Sequence, residues 1–406
     1  MTDRDDGDGL GRLPFAAGAC FALSAAMLTT FGIVSPDVVS ELQLSYTQTG
    51  VIAAAYLFGY GIFQLPASLL GVRLGSGRVL IGATVLMSVS SLVPFFVASY
   101  PSWVVSRLLM GIGGAAVLPL SIHLLTRAMS GPRLVRGLAV FVSGWGIGMS
   151  VAMVGAAPLL HAVGWRQVML MAAVLGIAVI AGLRWALPVG LSGRDADAGD
   201  PPNLAVLARR LSGNRALNLM GLVNAAGTTI MVCIPAWLPL YLTGTFGISA
   251  AETSASLSPI GLAIAVGAWA GGALSIRVGW RLVVASSLVA SCLLAALIPL
   301  QSSATLVVGI AILIGLVGML FPAPIQSLFP SVVPKEWTAL AAGYYNTIGF
   351  IGAFSASLVF GYLVDWLNSF TVGWLWLASI PVVGIVAALS LQIHGGPAPA
   401  MNSDKG

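Results

Sequence analysis

Of the 18 Lys and Arg in the 406-residue sequence, one stands deep inside a long apolar run: Arg107. All 13 Asp and Glu lie at or beyond the ends of such runs. A charge buried in hydrocarbon costs about 3 kcal/mol or more unless it meets water or a partner. Two roles fit Arg107: drawing an anion into a wet cavity, or hydrogen-bonding to the backbone of a neighbouring helix. Asp37, directly after Pro36, is the acid nearest to a run, and His123 is the titratable group one turn before Arg127. Either can carry a proton or cation, and either equally suits a helix-end residue at an interface. They are the candidates for binding a coupling ion.

Uncharged polar side chains are the next pointers, because helices in lipid turn them toward protein or a cavity. Gln64, Asn224, Thr228, Gln326 and Asn346 stand within apolar runs, and Tyr60, Trp145, Tyr344 and Tyr345 add rings that also hydrogen-bond. Each alone suits a bond between helices; as a set, with Arg107, they are the candidate solute-binding residues. Pro235, Pro239, Pro322 and Pro324 are expected to break two of the runs and expose backbone groups. Gly144-x-x-x-Gly148 reads as a close helix contact. No G-x-x-x-x-G-K, G-x-S-x-G, H-E-x-x-H or C-x-x-C occurs. ATP-driven chemistry, an intramembrane hydrolase and a metal centre therefore have no visible machinery: no enzyme, cofactor or metal is expected. Cys20, Cys233 and Cys292 all fall within runs, where small packing thiols are the plain expectation.

The elements that must position these residues follow from composition. Hydrophobic residues make up 58 % of the chain and charged ones 8 %, against roughly a quarter charged in soluble domains. Runs of about twenty apolar residues cross a bilayer. They fall near 14–36, 48–71, 78–99, 102–126, 136–160 and 166–187, then 215–243, 254–276, 281–301, 304–329, 338–364 and 371–393. These are numbered spans 1 to 12. The first is long enough to span and reads as retained. On this map 16 of the 18 basic residues lie on one side, Arg166 alone being opposite and Arg107 within span 4. The positive-inside rule then places both termini in the cytoplasm. The basic balance is a topology signal, so a lipid bilayer and not nucleic acid is the expected partner.

The stretch from Leu187 to Asn214 is the extended polar segment, with Leu204–Leu211 as a short surface helix. It divides 1–187 from 215–406, and the two parts repeat. A shift of 204 positions lays Arg73 on Arg277, Gly75 on Gly279, Gly111 on Gly315, Gly114 on Gly318 and Gly148 on Gly352. The expected fold is an all-α integral membrane protein of twelve transmembrane helices. They form two six-helix bundles related by a pseudo-two-fold, joined by the linker 188–214.

The turn inside that repeat carries a resemblance. Pro66-Ala67-Ser68-Leu69-Leu70-Gly71-Val72-Arg73-Leu74-Gly75 resembles the loop 2–3 signature of the major facilitator superfamily, and Arg107-x-x-x-Gly111-x-Gly113 resembles a second. The resemblance implies that Arg73, Gly75, Arg277 and Gly279 form cytoplasmic gating turns. Tyr60-Gly61-Ile62-Phe63-Gln64-Leu65-Pro66, Gly164-Trp165-Arg166 and Gly343-x-x-Asn346-x-x-Gly349 are similar to stretches of the anion:cation symporter group. That group implies an organic acid as solute, with a proton or sodium ion. The sequence departs from both patterns where acids are usual. Val72 and Ile276 replace the turn aspartate, Gly114 replaces an acid in span 4, and the Asp-Arg pair of span 1 falls near Met27-Leu28.

The resulting expectation is a secondary transporter working by alternating access, a monomer in a bacterial-type inner membrane. A small organic anion is its expected solute. An exporter of apolar or cationic compounds, and a non-transporting membrane scaffold on the same fold, are the alternatives.

Overall fold

In hydrocarbon a backbone finds hydrogen-bond partners only within itself, and this chain satisfies them with helices. The computed structural model describes residues 3–44, 46–156, 163–187, 204–248, 256–334 and 337–392, and no strand occurs among them. The ends of spans 5 and 12, the start of span 8 and residues 188–203 of the linker lie outside the described residues.

Among the described residues eleven helices are long and apolar enough to cross a membrane, and a bent pair supplies a twelfth. In the first half, span 1 lies within Asp3–Leu42, span 3 is Ser76–Ser90, span 4 is Tyr100–Ala128, span 5 is Gly131–Val151 and span 6 is Trp165–Ala186. Span 2 is the bent pair, Tyr46–Ile62 followed by Gln64–Leu74 at 49°. The sequence map shows it unbroken. The cause is Pro66, which has no N–H for the carbonyl of Ile62 and crowds it.

After the short helix Leu204–Ser212 come span 7 (Arg215–Phe246), span 8 (Pro259–Val278), span 9 (Trp280–Leu297), span 11 (Thr338–Leu367) and span 12 (Phe370–Ser390). Span 10 runs Ala304–Gly318 and resumes as Pro322–Gln326, so Pro322 and Pro324 do interrupt it. Span 7, in contrast, continues through Pro235 and Pro239, which corrects the expectation of a break there. Pro235 and Pro239 stand one turn apart and remove bonds along a single side of the helix, which it tolerates, whereas Pro322 and Pro324, two residues apart, remove bonds from opposite sides of one turn. Sequence-local caps fix the starts: Ser99 and Ser102 form a capping box on span 4, and the Asn214 side chain accepts from the Leu217 N–H on span 7.

The repeat is visible in the packing. Span 1 packs on spans 5 and 6, span 2 on 4, and span 3 on 4 and 6; span 7 packs on 11 and 12, span 8 on 10, and span 9 on 10 and 12. Each pair has its counterpart six spans later. The turn glycines also match, Gly75 at φ 99° and Gly279 at φ 87°, a region open to glycine and strained for other residues. Gly144 and Gly148 let span 5 lie directly on span 1, since a Cβ on either would collide with the carbonyl oxygen of Gly18 or Ala22.

Candidate functional site

The halves meet where span 5 packs on span 8 and span 11 packs on spans 2 and 4. The Ser143 hydroxyl donates to the Ala265 carbonyl across this seam at 2.9 Å. A side chain at Gly146 would strike the backbone of Gly261 and Ala265, and one at Gly343 would strike Ser68. Between these contacts lies a cavity that opens to the surface.

Its rings come from both halves: Phe21, Tyr60 and Trp145 on one side, Phe321 and Phe350 on the other. Tyr60 and Phe350 touch across the seam with centroids 4.7 Å apart, and Phe21 lies 4.9 Å from Trp145. Besides the polar tips of Tyr60 and Trp145, the polar lining among the described residues is Asn224, Thr228, Gln326 and Asn346 of the second half. Thr228 donates to Asn224 Oδ1 at 3.1 Å, and Asn224 Nδ2 donates to the Tyr345 carbonyl at 3.2 Å and to Asn346 Oδ1 at 3.5 Å. Because a backbone carbonyl can only accept, this chain orients both asparagine amides. Asn346 Nδ2 and Gln326 Oε1 are buried and make no hydrogen bond among the described residues. No charged side chain lines the cavity among the described residues.

The break in span 10 builds one wall. Pro322 and Pro324 cannot donate to the carbonyls of Gly318 and Leu320, so the helix opens at Met319–Phe321. The Ser287 hydroxyl donates to the Val317 carbonyl at 2.6 Å, and the Phe321 ring presses on Gly227 of span 7. This places Met319, Phe321, Pro322 and Gln326 along the cavity.

Arg107 is elsewhere. It is 2 % exposed, and its guanidinium donates to the carbonyls of Met27 at 2.7 Å and Leu28 at 3.4 Å. The rings of Tyr56 and Phe31 stand 4.7 and 5.1 Å away. Of the two roles open to it, the contacts are those of a link from span 4 to the backbone of span 1. Beside it, the hydroxyls of Ser24 and Tyr56 pair at 2.8 Å, and a side chain at Gly114 would press on both. An acid at that position would displace the pair.

Among the other candidates, Tyr60, Trp145, Asn224, Thr228, Gln326 and Asn346 line the cavity, whereas Gln64, Arg107, Tyr344 and Tyr345 do not. Gln64 is fully buried at the bend of span 2, next to the Tyr60 hydroxyl. Tyr344 donates to Asn218 at 2.9 Å. Tyr345 packs edge-on to Phe329, its hydroxyl beside Gln326 without closing a bond. Asp37 is exposed near the end of the span 1 helix, and His123 is buried in span 4 away from the lining. Arg73 and Arg277 are exposed beside their turns.

Phe21, Phe321 and Phe350 were not legible as lining, because a phenylalanine facing a cavity and one facing lipid look alike in sequence. Only the position of Phe321 next to Pro322 carried a signal. A second cluster, also unforeseen, ties the end of span 1's helix to the start of span 6. Trp165 Nε1 donates to Glu41 at 2.7 Å, and Arg166 reaches both oxygens at 3.0 and 2.5 Å. The hydrogen bonds from Arg166, then Trp165, hold the Glu41 carboxyl below the usual carboxylate range.

A family model described as Major Facilitator Superfamily matches residues 17–357. The chain belongs to that superfamily. It is thus a multi-pass membrane transporter and not an enzyme. The chain is 28 % identical over 402 residues to the 3-(3-hydroxy-phenyl)propionate transporter of Escherichia coli (strain K12), covering 97 % of this chain and 96 % of that one. It is 26 % identical to a probable galactarate/D-glucarate transporter, GarP, of the same organism, over 92 % and 91 % of the two chains. Its fold resembles the human organic anion transporter MFSD10 (TETRAN), with a TM-score of 0.77, 16 % identity and coverage of 93 % and 99 %.

Proposed function

We propose that this transporter carries a small organic anion, an aromatic carboxylate in preference to a sugar diacid, through the cavity between its halves. The observation that carries the proposal is the lining: five aromatic rings facing one patch of side-chain amides. Rings stack on a ring, and amides hydrogen-bond its carboxyl or hydroxyl groups. A sugar diacid would leave most of its hydroxyls against apolar walls, which is unfavourable. The full-length relative that takes 3-(3-hydroxy-phenyl)propionate supports the same class.

In this proposal residues 1–187 and 215–406 rock as two bodies about the seam, with 188–214 as the linker. The halves approach closely toward the arginine-bearing ends, Gly272 against Val135 and Ala139 and Gly343 against Gln64 and Ser68, and also toward the opposite ends, Gly261 against Gly146 and Ser150. The protein works as a monomer in an inner membrane of bacterial type, with both termini cytoplasmic, driven by a proton or sodium gradient.

The test is uptake into proteoliposomes of 3-(3-hydroxyphenyl)propionate and of galactarate, wild type beside Asn346→Leu. The aromatic acid should accumulate faster than galactarate, and Asn346→Leu should weaken it by about tenfold or more, as loss of a buried hydrogen-bond partner does. Export of apolar or cationic compounds also suits uncharged walls; flux of those compounds with none of either acid would replace the proposal by that one.

A further inference from the structure

A carrier of anions is expected to meet their charge with a cation, and this cavity holds none among its described lining residues. Arg107 is screened from it. Its guanidinium is turned onto the Met27 and Leu28 carbonyls, with Tyr56 between it and the cavity-lining Tyr60. Among the described groups that can titrate, Tyr60 alone lines the cavity, Tyr345 lies behind Gln326, and His123 sits elsewhere on span 4. The lining residues of spans 1, 5, 7, 10 and 11 are all uncharged. No Asp or Glu lines the cavity among the described residues to take up a coupling proton.

The amides add a second observation. Gln326 is 2 % exposed and Asn346 3 %; both line the cavity, and Gln326 Oε1 and Asn346 Nδ2 close no hydrogen bond among the described residues, with the Tyr345 hydroxyl beside Gln326 and the Tyr60 hydroxyl beside Asn346. With the amides oriented as in this structure, a carboxylate, which only accepts, would meet the Asn346 N–H and leave Gln326 Oε1 facing negative charge. A protonated carboxyl has one O–H donor and one carbonyl acceptor, which matches the pair group for group. Burial without a cation also disfavours the charged form of any carboxyl.

Taking the carboxylate proposal above as premise, we propose that the acid crosses as its protonated, uncharged form, the proton riding on the solute's own carboxyl group. On the entry side the carboxylate takes one proton from water; on the exit side the acid returns it. One proton accompanies each carboxylate, no net charge moves, and no protein carboxylate is required. The absence of acids from the described lining is then part of the mechanism.

The experiment is counterflow of radiolabelled 3-(3-hydroxyphenyl)propionate in proteoliposomes of the intact protein, with diffusion through protein-free vesicles subtracted. Two competitors are compared. The carboxamide is uncharged and keeps a donor and an acceptor; the sulfonate is permanently charged and only accepts. The carboxamide should compete within about threefold of the acid, and the sulfonate about a hundredfold more weakly, the discrimination expected of a site built around a hydrogen-bond donor. An imposed membrane potential should leave the rate unchanged. Competition by the sulfonate as strong as by the acid, or a rate that rises with a positive interior, would overturn the proposal while carboxylate transport stands. Absence of counterflow for the acid would overturn the carboxylate premise and the proposal together.

Discussion

Replacing Arg107 with methionine separates a structural link from a binding charge. The substitution removes a hydrogen bond of 2.7 Å and a weaker one of 3.4 Å from a charged donor, about 2 kcal/mol together. It also removes the contacts to Tyr56 and Phe31, about 1 kcal/mol. Against this, it relieves the desolvation of a buried cation that has no acidic partner among the described residues, a penalty of several kcal/mol. The Met27 and Leu28 carbonyls lie within a continuous helix, so they keep their intrahelical donors and no group is orphaned. Methionine fills most of the arginine stem's volume. The terms nearly cancel, and Arg107→Met should shift the melting temperature in detergent by only about 2 °C. Arg107→Ala leaves a void and should destabilise by about 3 kcal/mol. Solute affinity, measured by titration of purified protein with 3-(3-hydroxyphenyl)propionate, should stay within about threefold in Arg107→Met. A methionine variant that melts like wild type yet loses affinity tenfold or more, about 1.4 kcal/mol, would refute the reasoning and return Arg107 to the binding site.

Three further outcomes follow from the packing. Gly148→Leu drives a side chain into the Ala22 carbonyl, and should prevent recovery of monodisperse protein, as read by size-exclusion chromatography. Pro322→Ala combined with Pro324→Ala restores two backbone donors and straightens span 10; melting temperature should hold or rise while transport falls about tenfold or more, because Phe321 and Gln326 leave the cavity. Glu41→Gln should lower the melting temperature slightly at neutral pH. The folded carboxyl titrates below its ordinary value, so its contribution is complete above about pH 4.3 and fades as pH falls through the lower folded value. Exposure of the Glu41–Arg166 pair keeps that contribution below about 1 kcal/mol, and the two melting curves should converge at acid pH.

Much of the architecture could be read from residue order, because hydrocarbon punishes unpaired backbone and charge so severely that spans and arginines must fall where they do. The repeat was legible for a similar reason: Gly75 and Gly279 share a conformation that few other residues tolerate. The bend at Phe63 was less visible, since it depends on how Pro66 is accommodated and not on hydropathy. The partners of Arg107 were out of reach, being main-chain carbonyls some eighty positions away that any residue at 27 and 28 would supply. The polar half of the cavity was legible, because Asn224, Gln326 and Asn346 are conspicuous in apolar spans. The aromatic half was not, because Phe21 and Phe350 gain their meaning only from the seam between the halves.

Whether that cavity is where solute sits can be measured with a single cysteine in place of Thr228, in a protein whose three native cysteines are replaced. Thr228 lines the cavity beside Asn224. Saturating 3-(3-hydroxyphenyl)propionate should slow alkylation of Thr228→Cys about tenfold, since occupancy at ten times the dissociation constant leaves about a tenth of the sites open. Alkylation at an unchanged rate, in protein shown to bind the acid, would place the solute elsewhere and contradict the assignment of this cavity.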